Sequence, residues 1–447
     1  MKLSYRYPRD FVWGVAASAL QIEGGAAGDG RGESVWDRFA RRRGAIAGGD
    51  APASACDHYR RYPADIELMR RLGLRHYRLS VSWSRIFPSG RGAPNPLGLD
   101  FYDRLIDRLL ERGITPWVTL YHWELPQALE DEGGWRVRTT VDAFGAYADA
   151  VVLRLRDRVK RWITLNEIPC FIGLGYETGV HAPGAKEPPA VVAQAYHHAL
   201  LAHGHAVRAV REHGGRGARV GLTQNTDVPV PVIETPENAA AAQRAFARRN
   251  RHLLAPVFHG AYPDDYLRDL KSSRPRVRRG DLDFISQPTD FLGLNIYSGF
   301  FARAAGRGLE QIPAPRDYPC GALPWLRVVP QSIYWAVRHS ANLYRPPALY
   351  ITEHGACFED VPDRAGAVAD LHRREFLREY LISLHRAVDE GYPAKGYFLW
   401  SLLDNFEWAE GYRKRFGIVH VDFGTQKRTP KLSAHWYGAV ARLNRVV

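Results

Sequence analysis

The chain has 447 residues, with 61 Lys and Arg against 48 Asp and Glu for a formal net charge of +13, and it is 45% hydrophobic and 12% aromatic. That apolar content supplies a large core and excludes a disordered chain, and no apolar run reaches the roughly 18 residues needed to cross a bilayer as a helix. The stretch from Met1 to Asp10 lacks the apolar segment of a secretory signal, so the expectation is a cytoplasmic protein that enters no membrane.

Short β-branched or aromatic runs alternate along the chain with long amphipathic stretches. The first strand is expected at 11–15. A helical stripe follows, stepping by three or four residues through Tyr59, Tyr62, Ile66, Met69 and Leu72, with Gly73 as its stop. A second strand is expected at 76–83, then a helix carrying Phe101, Leu105, Leu109 and Leu110 and closed by Gly113. Further strands are expected at 115–121, 161–167, 218–223, 290–297, 348–353 and 395–402. The helix before the last of these places Phe376, Tyr380, Leu384 and Val388 on one face and ends near Gly391. The strand runs are apolar without polar alternation, as parallel strands covered on both faces require. Eight strands alternating with helices predict one (β/α)8 TIM barrel spanning 1–447 as a single domain, not an open doubly wound sheet. The long gaps 224–289 and 298–347 read as elaborated βα loops on the face where barrel sites are built.

Several motifs are set aside. In Gly28-Asp29-Gly30-Arg31-Gly32 the third glycine comes one residue too early for a dinucleotide loop, and no helix opens on it. Neither a phosphate loop nor a G-x-S-x-G elbow occurs. His197, His198, His203 and His205 crowd one predicted helix without the i, i+4 spacing of a zinc helix and without an acid near them in sequence. Cys56, Cys170, Cys320 and Cys357 form no C-x-x-C pair, which argues against a zinc site or a disulfide framework. The basic residues are interleaved with acids along the whole chain, so a nucleic-acid partner is not expected.

Two acids end predicted strands: Glu167, after Arg161-Trp-Ile-Thr-Leu-Asn166, and Glu353, after Leu349-Tyr-Ile-Thr. Strands four and seven face each other across an eight-membered ring, so both carboxyls can flank one scissile bond. Paired carboxyls are what glycoside hydrolysis needs: one protonates the leaving oxygen while the other attacks the anomeric carbon or activates water. Their separation decides between retention and inversion, and the residues alone leave that open.

Motifs from residue 8 to about residue 440 carry a family resemblance. They include Phe11-Val-Trp-Gly14, Gln21-Ile-Glu-Gly24, Tyr77-Arg78-Leu-Ser-Val-Ser-Trp-Ser-Arg-Ile86 and Tyr121-His122-Trp123-Glu-Leu-Pro-Gln127. Thr164-Leu-Asn166-Glu167, His181-Ala-Pro-Gly184 and Phe291-Leu-Gly-Leu-Asn295-Ile-Tyr297 follow. The last are Ile351-Thr-Glu353 and Trp400-Ser-Leu-Leu-Asp-Asn-Phe-Glu407-Trp408. In these the chain resembles family 1 of the glycoside hydrolases, the β-glucosidase family. The resemblance implies a retaining β-glucosidase with Glu353 as nucleophile and Glu167 as acid/base. It further implies that Arg78 and Tyr297 contact the nucleophile, that Asn295 lies beside the pair, and that Gln21, His122, Asn166, Glu407 and Trp408 surround the sugar over a Trp400 platform. Glu407 stands where relatives acting on 6-phosphoglycosides carry serine, which implies an unphosphorylated glucosyl, galactosyl or fucosyl substrate.

The implied partner is a small β-glucoside or cello-oligosaccharide. The two carboxyls suffice for the chemistry, so neither metal nor organic cofactor is implied, and the oligomeric state is left open. The chain departs from the family pattern at Leu20, at Ile296 and at His354, which follows the nucleophile. It also reads Ile168-Pro169 where relatives have Pro-Trp, implying an altered leaving-group site. For His354 the expectation is packing, because neighbouring strand residues point opposite ways. A transglycosidase and a carbohydrate-binding protein on an inactive barrel are the competing readings, the second disfavoured by the presence of both carboxylates.

Overall fold

The computed structural model describes residues 5–25, 29–306 and 308–447. Residues 1–4 of the N-terminal stretch and Gly28 of the glycine-rich motif lie outside them. The apolar runs form a closed parallel barrel of β1 Val12–Ala16, β2 His76–Ser80, β3 Thr115–Tyr121, β4 Arg161–Asn166, β5 Arg219–Asn225, β6 Phe291–Asn295, β7 Leu349–His354 and β8 Ala394–Trp400. β8 pairs with β1, and β6 with β7, to close the ring. Trp117 of β3 fills the barrel interior, its ring centroid 4.9–5.7 Å from those of Tyr350, Phe398 and Phe291. Such edge-to-face aromatic packing fills the middle of the barrel, so its floor is solid.

The outer ring is α1 His58–Leu72, α2 Pro96–Glu111, α3 Thr139–Leu155, α4 Pro189–His213, α5 Pro236–His259, α6 Gln331–Tyr344, α7 Leu371–Asp389 and α8 Leu432–Leu443. Most of the predicted stripe residues face inward: Ile66, Met69 and Leu72 of α1, Phe101, Leu105 and Leu109 of α2 and Phe376, Tyr380 and Leu384 of α7 are buried, Tyr59, Tyr62 and Val388 are half-buried, and Leu110 is exposed. Gly73, Gly113 and Gly391 have φ of 80°, 68° and 86° after their helices, a conformation that strains a residue bearing Cβ. In the predicted gaps, the β5–β6 connection holds α5 and two short helices. The β6–β7 connection holds the antiparallel pair Phe300–Ala305 and Gly308–Gln311, then α6.

Some expectations shift. The second strand was expected to run to Trp83 but stops at Ser80, and Trp83–Ile86 coils into a helical turn. β4 and β7 are separated by β5 and β6, so they are three steps apart on the ring, not diametrically opposed. The α4 histidines do have an acid beside them in space: His197 Nε2 donates to Asp281 at 3.0 Å from across the fold. Among the described residues no group of three His, Cys, Asp or Glu is arranged to hold a metal, and no helix is long and apolar enough to cross a membrane.

A buried ionic cluster underpins the loops after β7 and β8. Lys431, fully buried, donates to Asp360 at 2.5 Å and to Asp404 at 2.7 Å, while Arg373 pairs with Asp360 and Asp370. Asp404 also accepts from Arg415 at 2.8 Å and from the Gly417 backbone at 3.0 Å. These bonds fix the segment that leads into Glu407.

Candidate active site

Barrel strands end in a ring, so side chains at and near their C-terminal ends can converge on one opening. Arg78, in the middle of β2, is buried and spans the interior. Its Nη1 donates to Glu353 Oε1 at 2.5 Å and to the Thr352 carbonyl at 2.9 Å, its Nη2 to Asn166 Oδ1 at 2.6 Å, and its Nε to Thr119 Oγ1 at 3.2 Å. One guanidinium thereby ties together β2, β3, β4 and β7. Tyr297, two residues past β6, donates its hydroxyl to Glu353 Oε2 at 2.7 Å. Both Glu353 oxygens are therefore held by strong donors.

Glu167 reaches the same cavity by a different local route. β4 ends at Asn166, and Glu167 itself, with φ of 50°, turns the chain into the short helix Ile168–Ile172. Pro169 sits in the first turn of that helix, where no intrahelical N–H is required. Glu167 Oε1 accepts from Asn295 Nδ2 at 2.7 Å, and Cys170 Sγ lies 3.1 Å from Oε2. Asn295 Nδ2 also reaches Asn166 Oδ1 at 3.0 Å, linking the surroundings of the two carboxyls.

These environments set the protons. Burial raises Glu353, opposed first by the Arg78 charge and then by the Tyr297 hydrogen bond. Burial, reinforced by the negative charge of Glu353, pushes Glu167 up to about 8. The pair differs in its donors: a cation and a phenol on Glu353, an amide and a thiol on Glu167. One proton shared between the two therefore rests on Glu167. Burial is the larger cause of the Glu167 shift and the charge of Glu353 the second.

Both carboxyls line a cavity of about 380 Å3. His122, Trp400, Glu407 and Trp408 line it as well, whereas Gln21 and Asn166 are fully buried behind its wall. The Gln21 amide donates to the Phe406 carbonyl at 2.9 Å and to Asn405 at 3.1 Å, and lies 3.4 Å from Glu407 Oε2. Asn166 Nδ2 donates to His122 Nε2 at 3.2 Å, which makes that nitrogen an acceptor. Burial depresses His122, so it is neutral. Its ring lies nearly parallel to those of Trp400 and Trp408, 5.7 and 5.8 Å away. Burial, with the charge of Glu353 next, raises Glu407 to about 8.

The remaining lining was not singled out in the sequence. Trp123 donates Nε1 to the Asn166 carbonyl at 3.0 Å and packs on Trp408 at 4.4 Å. Its place in the Tyr121-His122-Trp123 motif was the available signal. Leu174, Leu323, Trp325 and Phe416 form an apolar rim, with Trp325 half exposed. Leu323 and Trp325 share the β6–β7 connection, while Leu174 and Phe416 come from distant stretches of chain, so no spacing in the sequence marks the set. Ile168 is buried away from the cavity, and Cys170 occupies the wall there. His354 also points away: it stacks on Phe376 at 4.9 Å and meets the Tyr397 hydroxyl at 2.7 Å.

Comparison with known proteins agrees with this geometry. The model of glycosyl hydrolase family 1 matches residues 3–446. The chain is 43% identical over 441 residues to β-glucosidase A of Thermotoga maritima, covering 98% of each. It is likewise 43% identical over 441 residues to the 1,4-β-D-glucan glucohydrolase of Thermotoga neapolitana, covering 98% of this chain and 99% of that one. The structure of the T. maritima β-glucosidase in complex with galacto-hydroximolactam superposes with a TM-score of 0.90 at 42% identity, covering 98% and 99% of the two chains.

Proposed function

The chain belongs to glycosyl hydrolase family 1, and from that premise we propose that it is a retaining β-glucosidase working by double displacement. The observation that carries the reading is the unequal pair of buried carboxyls in one cavity, Glu353 held by Arg78 and Tyr297 and Glu167 held by Asn295 and Cys170. Glu353 attacks the anomeric carbon as Glu167 gives its proton to the departing glycosidic oxygen, leaving a glycosyl ester on Glu353. Ester formation removes the negative charge that helped raise Glu167, so Glu167 ionises. It then takes a proton from the water that attacks the same carbon, releasing the sugar and restoring the Glu353 carboxylate.

The cavity favours one unphosphorylated glycone. Trp400 offers a flat apolar face, and His122, Glu407 and Trp408 offer polar atoms to the ring hydroxyls. Gln21 and Asn166 act from behind, fixing Glu407 and His122. β-Galactosides and β-fucosides fit the same groups, since they differ from glucosides at one or two ring positions. Cello-oligosaccharides present the terminal β-glucosyl unit the cavity accepts, which makes a step in cellulose breakdown a suitable role. The whole chain serves as one catalytic domain. A reducing compartment such as the cytoplasm keeps the Cys170 thiol beside Glu167 unoxidised.

The test is a 2-deoxy-2-fluoro-β-glucoside with a good leaving group, followed by mass spectrometry of the digested protein. A fluoroglycosyl adduct on the peptide carrying Glu353 is expected, with none in Glu353→Gln. An adduct on another residue, or turnover that inverts the anomeric centre, refutes the proposal.

A further inference from the structure

Asn295 Nδ2 donates to Glu167 Oε1 at 2.7 Å, and an amide N–H can only donate. Oε1 is thereby fixed as an acceptor, and the proton of a neutral Glu167 resides on Oε2. The Cys170 thiol stands 3.1 Å from that oxygen. It is buried in the cavity wall one helical turn after Glu167, and its sulfur accepts from Asn225 Nδ2 at 3.5 Å. With one sulfur lone pair accepting from the β5 side, the S–H is left to donate to Oε2, the oxygen 3.1 Å away. The result is a directed chain from Asn225 through Cys170 to the one oxygen on which the exchangeable proton sits.

Resting on the reading of Glu167 as acid/base, we propose that Cys170 is a positioning residue. Its S–H donor holds Oε2 and lowers the pH at which Glu167 gives up its proton. A donor aimed at Oε2 favours the carboxylate, the form that must activate water in the second half of the reaction. Burial and the nearby Glu167 carboxyl raise the thiol, so it keeps its hydrogen. The other groups bearing on Glu167 come from elsewhere in the barrel: Glu353 on β7, Arg78 on β2, Tyr297 after β6, His122 after β3, Glu407 after β8, and His181 beyond the short helix. None of them depends on the identity of residue 170.

The experiment is the pH dependence of kcat/KM for an aryl β-glucoside in the wild type, Cys170→Ala and Cys170→Ser, alongside azide rescue of Glu167→Ala. The wild-type alkaline limb is expected near 8. Cys170→Ala loses the donor, and its limb moves up by about half a pH unit, a factor of about three in proton affinity. Cys170→Ser retains a donor and stays within about 0.2 pH units of wild type or below it. An unmoved limb in Cys170→Ala, or equal upward shifts in both variants, overturns the proposal, since the second outcome reports lost volume and not a lost donor. If Cys170→Ala does not fold, Cys170→Ser decides alone: a limb at or below wild type supports the proposal, and one above it refutes it. Failure of azide to restore turnover to Glu167→Ala removes the acid/base assignment, and this inference falls with it. Successful rescue beside an unmoved limb removes only the role of Cys170.

Discussion

Replacing Tyr297 with phenylalanine deletes one oxygen and keeps the ring. The ring packs edge-on against Phe416 at 6.0 Å and Trp325 at 6.1 Å, contacts that phenylalanine preserves. What disappears is the 2.7 Å hydrogen bond to Glu353 Oε2. A hydrogen bond to an ionised group contributes about 1.5–3 kcal/mol. At about 1.4 kcal/mol per pH unit, its loss raises the Glu353 carboxyl by about one to two units. The phenol stabilises the ionised form, so the shift is upward and the nucleophile is lost to protonation at higher pH. The acidic limb of kcat/KM therefore moves up by about one to two pH units, while the alkaline limb, governed by Glu167, moves less. Initial rates with a nitrophenyl β-glucoside across the pH range, beside a thermal melt to confirm the fold, measure this directly. An acidic limb within about 0.3 units of wild type in a normally folded variant refutes the assignment of Tyr297 as the donor that keeps Glu353 charged.

Glu407→Ser is expected to lower kcat/KM for β-glucosides by about fivefold, from about 1 kcal/mol of lost hydrogen bonding, because burial keeps the Glu407 carboxyl largely neutral below pH 8. The same change should narrow the wild-type preference for glucoside over 6-phosphoglucoside, because the smaller serine leaves room and a hydroxyl donor for the phosphate; assays with the two nitrophenyl substrates read both effects. His354→Ala removes a ring stacked on Phe376 and bonded to Tyr397. It should cost about 3 kcal/mol in urea unfolding and leave both limbs of the pH profile in place; a moved limb would assign His354 an electrostatic role instead. Lys431→Met leaves Asp360 and Asp404 buried with one partner fewer and should destabilise by about 3–5 kcal/mol. Burial pushes Asp404 up, but Lys431 and then Arg415 hold it below the usual carboxylate range. Its stabilising share is thus complete above the unfolded value of about 3.9 and fades as pH falls through the lower folded value. Denaturation at neutral and acidic pH should show the Lys431→Met deficit shrinking toward the acid side.

The strands were legible because burial on both faces leaves a run of apolar residues with little else to become. Boundaries were less so: His76 to Trp83 reads as one strand because polar and apolar residues alternate through it, yet Ser80 to Ser82 is where the chain leaves the sheet to form a turn. Glu167 and Glu353 stood out because a charged residue closing such a run needs a reason. The geometry about them was less visible. Asp281 beside His197 and Asn225 beside Cys170 join residues distant in the chain, and only the closed barrel sets those distances. Gln21 and Asn166 are buried, and the residues they hydrogen-bond, Phe406 and His122, are far from them in the chain, so those contacts too were out of sight in the sequence. Cys170 carried no sequence signal of its own; a single thiol in an apolar stretch reads as core until an oxygen is found 3.1 Å from it.

The reach of Arg78 across the barrel has a bearing on how this molecule could be divided or assembled. Its anchors lie in both the first and second halves of the chain: Thr119 and Asn166 in one, Thr352 and Glu353 in the other. A fragment ending after β4 would retain the guanidinium without its counter-carboxylate, and the complementary fragment would retain the carboxylate without its cation. Each would contain an orphaned ion in an apolar lumen, so neither is expected to persist as a well-packed unit. Turnover then serves as a readout of ring closure, silent until the last staves meet.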